Sequence, residues 1–76
     1  MATVNSREIV DEIIAGNGHY EGDPQVIKIV KYQNMFNGGD AYGLVYETDG
    51  DVNRYENSAA CINPQVIWSV NKKEVK

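Results

Sequence analysis

The string Pro-Gln-Val-Ile occurs twice in this chain, at Pro24–Ile27 and again at Pro64–Ile67, and each copy opens an apolar run after an acidic or amide residue. The runs from Asp23 to Val30 and from Asn63 to Val70 both read as β-strands. Proline has no N–H to give to a ladder, so it is confined to the first residue of a strand, to an edge strand or to a bulge. Two strands that begin this way most simply flank a third. The proline-free run Ala41–Glu47 is the candidate for the middle.

A chain of 76 residues makes one domain, 1–76, and at this size only about 60% of the unfolded surface is buried on folding. Disulfides cannot make up the shortfall within one chain, because Cys61 is the only cysteine. A lone thiol suits a reducing interior. The stretch Ile9–Ala15 is broken by Asp11 and Glu12, so residues 1–30 hold no secretory apolar core. No run approaches the roughly 20 apolar residues of a membrane span. The expectation is a cytoplasmic protein. Eleven acidic against seven basic residues give a formal charge of −4, which disfavours a nucleic-acid backbone and either serves solubility alone or suits a protein partner with a basic or neutral surface.

The apolar positions Ile9, Val10, Ile13 and Ile14 form one stripe at helical period, with Asn5 or Ser6 as cap and Glu8 in the first turn. This predicts a helix over about 6–15, stopped by Gly16 in a left-handed conformation. A first strand is expected over about 25–36, with Val26, Lys28, Val30, Tyr32 and Asn34 on one face and Ile27, Ile29, Lys31, Gln33 and Met35 on the other. Asn37-Gly38-Gly39-Asp40 is a hairpin turn. The second strand, about 41–48, carries Tyr42, Leu44 and Tyr46 on one side. Residues 51–63 lack a strand pattern and could place a helical turn or packed loop against the sheet. The third strand, about 65–71, presents Val66, Trp68 and Val70 on one face. The expected fold is α+β: an N-terminal helix on a three-stranded antiparallel sheet, with an irregular or short helical crossover before the last strand.

One helix can cover one sheet face, while both faces of these strands carry large apolar groups. Either residues 51–63 fold over the second face, or Tyr32, Phe36, Tyr42, Tyr46 and Trp68 form an exposed aromatic surface of the kind that marks an interface. Within that surface Tyr32, Tyr42, Tyr46 and Trp68 are the expected partner-binding anchors, with Asp49, Asp51 and Glu56 steering a basic partner. Burial of the same face in a homodimer is the alternative.

No constellation assembles a catalytic site, and the chain is expected not to be an enzyme. His19 and Cys61 could form a nucleophilic pair only in principle, since Cys61 lies between Ala60 and Ile62 in an apolar context. Asp49, Asp51 and Asn53 follow the opening spacing of a calcium loop, yet Arg54 stands where the turn needs glycine and Ala60 where the loop needs its bidentate acid. No metal or other cofactor is expected. The glycine-rich strings Gly16-Asn17-Gly18 and Asn37–Asp40 lack the lysine and hydroxyl of a phosphate loop. An aromatic sheet face can stack bases, but only Lys28, Lys31 and Arg54 would supply its positive groove.

In Asn37–Gly43 and in Asn63–Trp68 the chain looks like the small open reading frames of phages and other mobile elements. In size and acidity it resembles phage inhibitors of bacterial defence systems, including anti-CRISPR proteins. That resemblance implies an inhibitor acting by occlusion in a host cytoplasm, and transfers no functional position.

Overall fold

The computed structural model describes residues 2–22 and 24–70. Its elements in chain order are β1 (Ala2–Val4), α1 (Arg7–Ala15), β2 (Val26–Asn34), β3 (Asp40–Tyr46), α2 (Arg54–Asn57) and β4 (Cys61–Ser69). They build an α+β fold in which α1 packs on an antiparallel sheet of order β1-β3-β2-β4.

Helix α1 starts where the sequence places it. Ser6 is extended (φ −102°, ψ 122°), and its hydroxyl accepts from the Ile9 N–H at 3.3 Å, which satisfies a donor the first turn leaves free. Val10 and Ile13 are fully buried, and Ile9 and Ile14 pack beside them. The stop differs from expectation. Gly16 ends the helix at φ −90°, and the left-handed residues are the next two, Asn17 (φ 55°) and Gly18 (φ 94°). The Gly18 N–H closes on the Ile13 carbonyl at 2.8 Å, and its own carbonyl accepts from Val26 at 2.8 Å. A Cβ on Gly18 would lie 2.2 Å from the Val26 oxygen, so this helix-to-strand junction admits only glycine.

The sheet has four strands, not three. The extra one, β1, runs beside β3 with Ala2, Thr3 and Val4 opposite Leu44, Gly43 and Tyr42. Three residues span less than two periods of strand alternation, so no pattern announces it. The order of the remaining strands also differs: β2 lies between β3 and β4, and β3 is interior because β1 flanks it. Pro24 stops short of β2 and costs its ladder nothing, whereas Pro64 lies inside β4, which is an edge strand. The strands are also displaced from their expected limits. β2 ends at Asn34, β3 at Tyr46, and β4 starts at Cys61; position 71 of the expected third strand and the C-terminal lysines lie outside the described residues.

Three irregularities redistribute side chains between the faces. Val26 pairs with Tyr46 but Lys28 with Val45, so β2 carries an extra residue at Ile27, and Val26 joins Ile29, Tyr42 and Leu44 beneath α1. In β4, Gln65 and Ile62 pair with Lys31 and Gln33, leaving an extra residue near Asn63, which sits at φ 53°. A second shift puts Trp68 opposite Ile29 and Val66 opposite Val30. Val66 and Trp68 therefore face opposite ways, where simple alternation would have kept them together.

Residues 51–60 settle what covers the second face. The ring of Tyr55 lies on the backbone of Gly43, where a Cβ would come within 2.6 Å of it. It stacks on Tyr32 with centroids 5.7 Å apart and planes at 22°. Val30, Tyr32, Ala41 and Val45 are buried on this side. The crossover is a strap over the sheet, and α2 is its single helical turn.

Candidate functional site

Alternation and the bulges send the four candidate aromatic anchors to different places. Tyr32 is 7% exposed and belongs to the strap face; Tyr42 is 8% exposed and belongs to the α1 face. Tyr46 and Trp68 are half-buried and pack against the α1 cluster, the Trp68 ring also closing against Gly18. The expected exposed aromatic surface of Tyr32, Tyr42, Tyr46 and Trp68 is thus replaced by two separate packing roles. Tyr42 is capped by Arg7, whose guanidinium carbon lies 5.9 Å from the ring centroid. Hydrogen bonding to Tyr42, and then to Asp11 at 3.0 Å, pushes the Arg7 pKa up.

The acidic candidates shape loops. Asp49 accepts from the Tyr46 N–H at 2.8 Å and closes the turn after β3. Asp51 accepts from the Asn53 N–H at 3.0 Å, an Asx turn that leads into α2. Glu56 pairs with Lys28, whose ammonium also donates to Asn53 at 3.1 Å. These contacts hold the strap, together with a 3.4 Å hydrogen bond between the Tyr55 and Thr3 hydroxyls. Burial pushes the Tyr55 phenol above its ordinary value, and the Thr3 contact acts the other way.

His19 and Cys61 are far apart. Gly18 bonds to Val26 at one end of β2, and Cys61 pairs with Asn34 at the other; eight strand steps at ~3.3 Å put them on the order of 26 Å apart. Among the described residues, no three His, Cys, Asp or Glu side chains converge as metal ligands. No helix among them is long and apolar enough to cross a membrane.

Among the described residues the two most exposed large apolar side chains lie at the β2–β3 hairpin tip. Phe36 is 82% exposed and Met35 51%. The turn that carries them is tied down from several directions. The Asn34 side chain accepts from the Phe36 N–H at 2.7 Å and that of Asn37 from Gly39 at 2.8 Å, while the Gln33 amide donates to the Gly38 carbonyl at 2.9 Å. Backbone bonds join Asn34 to Gly39 and Gly38, and Met35 to Ala60. By register Met35 continues the face of Gln33 and Ile62, and Ile62 is 40% exposed. Next to it a shallow polar depression of about 230 Å³ lies between Lys31, Asp40, Ile62 and Gln65. The sequence did hold a signal for this tip, an apolar pair abutting the Asn37-Gly38 turn, but Phe36 ranked there only as one aromatic among five.

No protein-family model, no curated protein and no solved structure matches this chain.

Proposed function

We propose that this protein is a non-catalytic protein-binding module that inserts its hairpin tip, Phe36 with Met35 beside it, into an apolar pocket of a partner protein. The observation that carries this reading is an aromatic side chain held in water on a turn already ordered by its own hydrogen bonds. Such a group binds without first losing backbone freedom, and buried aromatics dominate interface energetics. The formal charge of −4 favours a partner with a basic rim. Steric occlusion of a larger host complex, as in the phage inhibitors the sequence resembles, is the mode of action that such a module serves.

A homodimer is the second reading. Cys61–Ser69 holds nine residues without a charge, on an edge that has no further partner strand among the described residues. An uncharged edge lends itself to pairing with one further copy over a short regular stretch such as Gln65–Val66.

A photo-crosslinking side chain at position 36, with position 21 as an exposed control, separates the two in cells that produce the protein. A single foreign protein joined from 36 and not from 21 supports the docking tip. Crosslinks to a second copy alone favour the dimer, and an unlinked tip overturns the docking tip.

A further inference from the structure

The sheet face beneath the strap is built like a binding site. Its floor is the bare backbone of Gly43, one wall is the ring of Tyr32, and the Thr3 hydroxyl and the Lys28 ammonium stand at its rims. Val30, Ala41 and Val45 complete the apolar ground through β2–β3 ladder pairs that need nothing from the strap. Two consecutive residues, Tyr55 and Glu56, fill this arrangement with one ring and one carboxylate.

The cover itself is slight. No residue of α2 is fully buried, the side chain of its cap Asn53 makes no capping hydrogen bond, and from 47 to 59 Asp49 and Tyr55 are half-buried while the other residues are exposed, Val52 at 40%. Residues 47–60 carry Glu47, Asp49, Asp51 and Glu56 against Arg54 alone, so an acidic segment lies on a face whose cation is Lys28. Elements with few buried contacts open well below the free energy of global unfolding.

We propose that residues 47–60 form a detachable strap occupying, as an internal ligand, a docking site for peptide segments in which an aromatic residue is followed by a carboxylate. A competing segment of that chemistry meets the same floor, wall and cation. The tethered copy acts at high effective concentration, which keeps the site shut against weak ligands.

Two measurements test this. In a Cys61→Ser background, Val45→Cys reports on the strap face and Leu44→Cys on the face under α1. The expected result without denaturant is thiol labelling at least tenfold faster at 45 than at 44, with a rate insensitive to low urea. Equal rates overturn the detachable strap. The second measurement titrates a synthetic peptide of residues 51–60 into the Tyr55→Ala/Glu56→Ala variant and into the unaltered protein. Binding at least tenfold tighter to the variant, and lost when the peptide's own tyrosine is replaced by alanine, supports the site. A variant that cannot fold shows the strap to be part of the cooperative core. A variant that dimerises makes the face a self-association surface, and one that ignores the peptide has no such site. Each of these three outcomes overturns the proposal.

Discussion

Beneath α1, Val10, Ile13, Val26, Ile29, Tyr42 and Leu44 interlock, drawn from one helix and two strands, and four of the six are at most 1% exposed. On the opposite face of the same sheet Val30 and Val45 are just as buried, at 0% exposed, but the cover is a half-buried ring and an ion pair whose members are 14% and 33% exposed. The first closure is distributed, so removing any one member leaves a cavity that the others line. The second is concentrated in Tyr55 and the contacts of Lys28 with Asn53 and Glu56. A small domain can therefore be firm on one face and yielding on the other, although both faces bury apolar strand residues.

The sharpest way to break this contrast is Ile29→Ala. It should cost about 2–5 kcal/mol in urea unfolding, against a total of roughly 4–11 kcal/mol for a chain of this length, and so bring the whole molecule near its unfolding midpoint. Tyr55→Ala should cost less, about 1–2 kcal/mol, since its ring is only half buried. If the two losses prove equal, the faces are equally structural and the contrast is gone. Ser6→Ala should cost about 1 kcal/mol through the lost cap, with the α1 cluster left intact. Glu56→Gln should cost under about 1 kcal/mol, because the Lys28 pair is partly solvated and screened by salt.

The smallest effect is one of pH. The folded-state value of Tyr55 is raised above the ordinary 10.0, so the unfolded chain gives up that proton first. The contribution of this group is fully present below about pH 10 and is lost as pH rises through the folded value. The difference in stability between the unaltered protein and Tyr55→Phe, followed from pH 8 to 11, should shrink over that window. A constant difference would place the ring in water.

Helix α1 was legible from its apolar stripe, the hairpin from Asn37-Gly38, and the strands β2, β3 and β4 from their β-branched and aromatic runs. Three things were not. The partner strand β1 is too short to show a period. The bulges at Ile27, Asn63 and Ile67 reverse side-chain parity without changing composition, which is why Val66 and Trp68 part company and why Val26 changes faces. The strap depends on one aromatic finding one glycine, Tyr55 on Gly43, and nothing in the sequence between them names that pair. The same limit applies to the site. Aromatic residues could be counted from the sequence, but which of them remained in water was decided by the register.

The doubly bulged edge strand also bears on how this protein behaves when crowded. Between its two irregularities, only Gln65 and Val66 stay in register with β2. A chain adding to the outer side would meet the same breaks, along with a proline that offers no N–H, after every short stretch of regular backbone. Nine uncharged residues on an exposed edge would otherwise invite fibre growth. Here the irregular spacing of the peptide groups takes the place of charge in resisting it, so relieving the kink with Pro64→Val should turn a concentrated solution turbid.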